Sequence, residues 1–402
     1  MAWQEPTRLV ITCGRGCVPA LSGELCALGH RPQEVSPTAV EVTGNLHEAM
    51  RLNLWLRTAN RVLFEVAGFA VESPDELYAA TRDLPWEEWL RGDVPFHVHG
   101  VAQHETIRDS RFALLRCKDA IADRFVEQTG ARPDSSASPV GAASIALYWK
   151  DGVAQLFLDT SGVPLSHRGY RQQPWVAPLR ETLAASILLE TGWGQNPDEA
   201  FVGPMCGSGT LAIEAAWICQ NRAPGLHRED FAFLLWNGVE ADEWRQMRAA
   251  AQRQCRTAPR AWLAASDIAP EAVACARANA ERAGVAHLIR FQVGDFRDTA
   301  LPQPPALILM NPGYGERVGE LAELYPLYEA IGTFFKTKCQ ELRAAVFTGS
   351  PALGRKIGLH PARRTTMWNG DIECRLLEFE IYAGTRDPRL LRKHRSESGA
   401  PQ

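Results

Sequence analysis

The chain has 402 residues, 46% of them hydrophobic and 22% charged; at about 150 residues per domain, that length suggests two or three domains. This composition excludes collagen-like repeats, long low-complexity disorder and a small disulfide scaffold. With 43 Lys and Arg against 47 Asp and Glu, the net charge of −4 speaks against a surface uniformly adapted to nucleic-acid phosphates.

In chain order, residues 8–13 (RLVITC) read as a strand. Residues 17–29 have helical spacing and a glycine stop. Residues 39–43 alternate as a strand, and Gly44-Asn45 turns into a helix over 46–59. A strand (61–70), a helix (75–84), a strand (95–102) and a helix (113–130) follow. Strands at 145–150 and 154–160 flank Asp151-Gly152, a strong hairpin signal. The first 160 residues therefore mix short strands and helices in α+β style. Trp86 and Trp89, three apart, read as core residues, as do Trp55, Trp217 and Trp236.

From Pro178 the texture changes. Helices at 178–192, 211–223, 270–284 and 325–339 alternate with strands ending near 204, 267, 293, 310 and 348, and a strand at 374–382 closes the series. This alternation predicts a doubly wound, largely parallel sheet. The tail after Thr385 is basic and polar. No stretch reaches the roughly 18 apolar residues of a membrane span. The first residues lack a signal-peptide pattern, so a cytoplasmic protein is expected. The ten scattered cysteines read as reduced thiols. His97 and His99 alternate on one strand but lack a third ligand, so no metal is expected.

The sharpest motif is Gly203-Pro204-Met205-Cys206-Gly207-Ser208-Gly209-Thr210, between a strand and a helix. Its glycines allow sharp turns and close approach to a ligand. A helix N-terminus adds donors that favour an anionic group. No Gly-Lys-Ser/Thr follows, so it is not a Walker loop. Alone, such a loop could equally be a plain α/β turn. Asp267 ends the next strand and can accept both hydroxyls of a ribose or cap a helix. Asp295 ends the third strand and could accept from an adenine amine or be an ordinary loop carboxylate. The fourth strand ends in Asn311-Pro312-Gly313-Tyr314. The Asn311 side-chain oxygen and the Pro312 carbonyl can accept from an exocyclic NH₂, and Tyr314 offers a stacking face. Such acceptors catalyse by orientation and electrostatics, without a dedicated general base.

Taken together, GPMCGSGT, Asp267, Asp295 and NPGYGER resemble a class I S-adenosylmethionine-dependent methyltransferase of the amino-methylating kind. More specifically, the chain resembles the THUMP-domain RNA guanine-N2 methyltransferases of the RlmL type, which act on large-subunit ribosomal RNA. Further support comes from CGRGCVPALSGELCALG near the start, NLWLRTANRVL at 53–63, SRFALLRCKDAIADRF at 110–125, SHRGYR at 166–171 and NRAPGL at 221–226. The resemblance implies a Rossmann-like class I methyltransferase domain whose mostly parallel sheet has an antiparallel last strand. An N-terminal α+β ferredoxin-like and THUMP region precedes it. The implied boundaries are a ferredoxin-like part at 1–50, THUMP at 51–162, a linker and leading helix at 163–190, the catalytic domain at 191–384 and a basic tail at 385–402.

It also implies the site. S-adenosylmethionine would lie over Pro204 to Thr210, with its ribose on Asp267 and adenine near Asp295. Guanine would enter beside Asn311, Pro312 and Tyr314, leaving S-adenosylhomocysteine and N2-methylguanosine. The implied partner is RNA, 23S ribosomal RNA or a large-subunit precursor, with no membrane and no metal; oligomeric state is left open. Two positions depart from the family pattern: Gly203 replaces Asp, and Gly313 replaces the second Pro of N-P-P-Y. A transfer-RNA guanine-N2 methyltransferase, or a weakened enzyme acting as an RNA-binding assembly factor, are the alternatives.

To residue 162 there are 15 Lys and Arg against 21 Asp and Glu; the remainder has 28 against 26. RNA contacts are therefore expected from local patches. One holds Arg108, Arg111, Arg116 and Lys118; another holds His167, Arg168, Tyr170 and Arg171; the tail adds Arg386, Arg389, Arg392, Lys393 and Arg395.

Overall fold

The computed structural model describes residues 3–105, 107, 109–135, 138–171, 179–257, 261–314 and 320–382. Arg108, residues 315–317 of the NPGYGER motif and the tail arginines lie outside the described residues. The chain divides into two compact units. The first comprises residues 1–172, 180–186 and 220–257; the second comprises 173–179, 187–219 and 258–402.

The first unit opens with β1 (Thr7–Cys13), α1 (Val18–Ala27), β2 (Gln33–Ser36), β3 (Ala39–Gly44), α2 (Leu46–Trp55) and β4 (Ala59–Ala70). It continues through α3 (Pro74–Arg82), the single turn α4 (Trp86–Trp89), β5 (Phe96–Gln103), α5 (Ser110–Thr129), β6 (Ala143–Lys150) and β7 (Val153–Asp159). Local chemistry sets these ends. The Asn45 side chain accepts from Glu48 N at the start of α2, and Ser73 caps α3 by accepting from Glu76 N. Gly130 closes α5 in the left-handed conformation, φ +72°. Asp151 and Gly152 both take positive φ, as a two-residue hairpin of type I′ demands.

All seven strands form one sheet, ordered β2-β3-β1-β4-β7-β6-β5. Only the β5–β6 pair is parallel among its pairings. Trp86 is fully buried and Trp89 meets it edge-on at 5.4 Å. Residues 220–257, inside the stretch expected to be catalytic, cluster with this first unit and carry α8 (Ala241–Arg253). A Cβ at Gly225 would lie 2.7 Å from the Leu54 Cα, so NRAPGL contains a close backbone packing point.

In chain order α6 (Glu181–Glu190), β8 (Ala200–Pro204), α7 (Thr210–Cys219), β9 (Leu263–Asp267), α9 (Pro270–Arg282), β10 (Ile289–Val293) and β11 (Ala306–Met310) follow, α8 lying between α7 and β9. Then come α10 (Glu320–Lys338), β12 (Arg343–Thr348), α11 (Pro351–Lys356), β13 (Arg363–Asn369) and β14 (Ile372–Glu380). The second unit's sheet is ordered β10-β9-β8-β11-β12-β14-β13. Strand β14 is antiparallel to β12 and β13, and the other pairs are parallel. This is the expected Rossmann-like arrangement with one antiparallel strand. Every residue of β8 and β11 is buried, as befits central strands covered on both faces. Val202, Ile308, Met310, Val346, Phe335 and Phe379 share one core cluster.

Three elements of the sheets and their helices bury few of their residues. Strand β2 is a short polar edge, QEVS, with three exposed residues. Strand β13 is another edge, in which only Met367 is buried. Helix α8 buries only Trp244 and Ala251. Helix α2 ends at Trp55, short of the expected Ala59, because Ala59 already pairs with Cys13 in the sheet.

Candidate active site

Strand order reverses across β8 and β11, the position where open α/β sheets bind ligands beyond the strand ends. The glycine loop, Asp267, Asp295 and the Asn311 loop all sit at such C-terminal ends.

The glycine loop is built by its own sequence. Met205, Gly207 and Gly209 have φ of +60°, +53° and +81°. A Cβ on Gly209 would stand 2.9 Å from the Ala276 Cβ of α9, so glycine is needed there for both reasons. Cys206 N donates to Ser266 O at 2.9 Å, and Gly207 N donates to Asp267 Oδ2 at 2.9 Å. Asp267 Oδ1 also accepts from Ala269 N at 3.1 Å. The Asp267 carboxylate thus ties the loop to β9 while remaining partly exposed. Asn279 on α9, not singled out by sequence, donates to Ser208 O at 3.0 Å from a fully buried position. Ser208 and Thr210 are buried, with hydroxyls 3.3 Å apart. Burial, and then the Asp267 charge, push the Cys206 thiol up to about 12, so it stays protonated and is no nucleophile.

Asp295 caps the short turn that follows β10. Its Oδ2 accepts from Arg297 Nη2 at 2.6 Å, and its Oδ1 from Arg297 N and Nε at 2.9 Å each. The Arg297 hydrogen bonds hold its carboxyl below the usual range. Ile268, beside Asp267, is 70% exposed, an apolar surface at the site that sequence reasoning missed.

The Asn311 loop is held more firmly than Gly313 suggests. Tyr328 OH donates to Gly313 O at 3.3 Å and lies 2.9 Å from the Thr348 hydroxyl. Asn369 Nδ2 donates to Tyr314 OH at 2.8 Å. Gly349 must lack a side chain, since a Cβ there would be 2.7 Å from the Tyr314 ring. Pro312 is buried. Asn311 Oδ1 is buried and has no hydrogen-bond partner among the described residues. Leaving such an acceptor unsatisfied costs about 1–3 kcal/mol. The two departures differ in room. A Cβ at Gly203 would press on Phe201 at 3.1 Å, whereas one at Gly313 meets nothing within 4 Å.

The residues expected at RNA do not form one surface. Arg111 is 88% exposed, and Lys118, two helical turns later, is half-buried on the same face of α5. Arg116 pairs instead with Asp75 at 2.6 Å and lies over the Tyr78 ring. His167 is exposed, but Arg168 and Tyr170 are buried at 1% and 0%. Arg168 donates to the backbone carbonyls of Leu165 and Arg57, which makes it a structural residue of the segment. Arg171 lies 3.3 Å from Glu181. His97 and His99 stack, and His99 Nε2 contacts buried Asp159 at 3.2 Å. Among the described residues no group of three or more His, Cys, Asp or Glu could hold a metal ion. No described helix is long and apolar enough to cross a membrane.

Comparison with known proteins finds three family models along the chain. Residues 8–63 match the model of the RlmL ferredoxin-like domain, 71–137 that of the THUMP domain, and 168–378 that of the RMKL-like methyltransferase domain. The ribosomal RNA large subunit methyltransferase K/L of Syntrophotalea carbinolica is 39% identical over 392 residues, covering 94% of this chain and 54% of that protein. The chain spans about half the length of the curated relatives it matches. The structure of SMU.472, a methyltransferase by assignment and complexed with SAH, superposes with a TM-score of 0.85 at 28% identity. It covers 95% of this chain and all of that one. A predicted N6-adenine-specific DNA methylase from Listeria monocytogenes superposes with a TM-score of 0.82 at 30% identity, covering 95% and 97%. With the methyltransferase model matched over 168–378, more than half of its length, the chain belongs to the RMKL-like methyltransferase-domain family.

Proposed function

We propose that this protein transfers a methyl group from S-adenosylmethionine to the N2 amine of a guanine in 23S ribosomal RNA or a large-subunit precursor. The buried, unpartnered Oδ1 of Asn311 carries the reading, because it needs a donor that the described residues do not supply. The residues present fit the cofactor. Gly207 and Gly209 take the positive φ that turns the loop sharply, Gly209 lets it close onto α9, and Asp267 presents a partly exposed carboxylate beside it. Pro204 to Thr210 would hold the cofactor, Asp267 its ribose hydroxyls, and Asp295 with Ile268 its adenine. The bound cofactor supplies an electrophilic sulfonium methyl.

The chain's own residues position the amine. Asn311 Oδ1 and the Pro312 carbonyl accept hydrogen bonds from its two N–H groups, which aims the nitrogen lone pair outward from the loop. Tyr314 supplies a face for the base; its hydroxyl is held by Asn369. The reading is of a cytoplasmic enzyme that needs no metal. RNA contacts from Arg111, Lys118, His167 and Arg171 belong to it. So do the domain limits 1–50, 51–162, 163–190, 191–384 and 385–402. The large-subunit methyltransferase name of the relatives supports the ribosomal substrate.

The test is incubation of the full chain with S-adenosylmethionine and a 23S ribosomal RNA transcript or large-subunit precursor particles, followed by nucleoside mass spectrometry. N2-methylguanosine is the expected product. Methylation of transfer RNA alone, formation of N6-methyladenosine, or RNA binding without any methyl transfer would each replace this reading.

A further inference from the structure

Described residues of the first unit line a cavity of about 840 Å³ that includes His167 and Arg171, assigned above to RNA, together with groups the methyl-transfer reading does not use. It lies within the roughly 300–1,000 Å³ range of small-ligand pockets. Its walls come from the ends of β1 and β4, from Tyr148 on β6, from the segment Pro164–Arg171, and from Arg180 and Glu181.

The charge in it is preorganised. Arg61 donates to the fully buried Asp159 carboxylate and to Gly162 O at 2.5 Å. Asp159 Oδ1 is itself occupied by Ser161 N at 3.0 Å and Gly162 N at 3.2 Å. Arg171 sits beside Glu181, and Arg180 is exposed at the rim with His167. Three arginines and one carboxylate, Glu181, line this cavity, and a second carboxylate, Asp159, stands behind Arg61. Behind it, Arg228 is 7% exposed and donates to backbone carbonyls of Ser161, Val163, Pro164 and Asp230. Burial first, then the charges of Arg228, Arg180, Arg171 and Arg61, lower the His167 pKa. Arg61, Arg171, Arg180 and Arg228 thus gather here although the first 162 residues carry 15 basic against 21 acidic side chains.

That combination selects an anion larger than a lone phosphate. Tyr148 is a half-buried aromatic wall on which a base can pack. Thr12, Thr38, Asn60 and Ser166 add neutral hydrogen-bonding groups suited to a ribose. We propose that this cavity is a second RNA site, whose described lining residues all belong to the first unit. It takes one unpaired nucleotide of the substrate strand, with phosphate on Arg171, Arg180 and His167 and base against Tyr148. The proposal rests on the RNA-substrate reading above but not on catalysis.

The test uses the full chain and a fluorescein-labelled oligouridylate, read by anisotropy across a salt series. Arg180 is exposed, so Arg180→Ala and Arg180→Glu leave the core intact. Arg180→Ala is expected to weaken binding about tenfold, as for loss of one charged hydrogen bond. The log–log salt slope is expected to fall by about 0.7, as for one phosphate contact on a single strand. Arg180→Lys is expected to restore the slope. S-adenosylmethionine affinity, read by calorimetry, is expected to stay unchanged in all three variants. Wild-type affinity and slope in both Arg180→Ala and Arg180→Glu would overturn the proposal, even with full methyl transfer. Displacement of the oligouridylate by uridine monophosphate at equal concentration would overturn it in favour of a free-nucleotide site. Arg180-dependent RNA binding in a wild-type chain that makes no N2-methylguanosine would sink the enzymatic reading and leave the cavity standing.

Discussion

Replacing Asn311 by alanine should separate catalysis from stability in opposite directions. In the folded chain Asn311 Oδ1 is buried without a partner among the described residues. Removing such an acceptor relieves about 1–3 kcal/mol. The lost side-chain packing costs about 1 kcal/mol, a common size for a single substitution. The net expectation runs from no change to about 2 kcal/mol of added stability. For a unit of this size each kcal/mol moves Tm by about 2–4 °C. The variant should therefore melt at the wild-type temperature or several degrees above it. Methyl transfer should fall by about 10²–10³, as when one oriented polar group is removed from an active site. Cofactor affinity should hold, because the loop contacts from Gly207, Ser208 and Asp267 do not involve Asn311. Single-turnover transfer of labelled methyl, differential scanning fluorimetry and calorimetry read the three quantities. Normal turnover would refute the role of the side chain. Destabilisation by more than about 2 kcal/mol would show that Asn311 has a structural partner, and that the unpaired acceptor is not waiting for a ligand.

Three other outcomes are expected. Asp267→Asn replaces an acceptor that takes both Gly207 N and Ala269 N; S-adenosylmethionine Kd by calorimetry should rise about 10–100-fold, and an unchanged Kd would remove Asp267 from the site. Gly349→Ala places a Cβ 2.7 Å from the Tyr314 ring; turnover should drop at least tenfold while cofactor affinity is kept, and full activity would show that the ring's position is irrelevant. Arg297→Ala should let the Asp295 carboxyl, now held low by Arg297 hydrogen bonds, titrate nearer its ordinary value in a carboxyl-resolved NMR titration. Because the folded-state pKa is depressed, the ion pair's contribution is present above the ordinary carboxylate range and is lost as pH falls through the folded value. Wild-type and variant should thus differ in acid-induced unfolding at pH 5 by more than at pH 2, both pH values being approximate bounds around that range.

Much of this protein is written in local pattern. The helix caps at Asn45 and Ser73, the glycine end of α5 and the Asp151-Gly152 hairpin follow from steric and hydrogen-bonding preferences of single residues. The buried runs AFVGP and ALILM announce central parallel strands, and their loops place Gly207, Asp267, Asp295 and Asn311 at strand ends. Such readings need only a few neighbouring residues. What stayed hidden depends on partners distant in sequence. SHRGYR is one motif in the chain, yet Arg168 and Tyr170 turn inward while His167 and Arg171 face a cavity shared with Arg61 and Arg180. Asn53, within NLWLRTANRVL, serves a buried network with Thr160 and Ser161, more than 100 residues away. The unpartnered state of Asn311 and the pinning of Tyr314 by Asn369 and Gly349 are likewise tertiary facts. Residue type and spacing determine which groups stand at a strand end. Whether each is exposed, buried, paired or left waiting for a ligand is decided only when the sheets bring remote segments within a few ångströms.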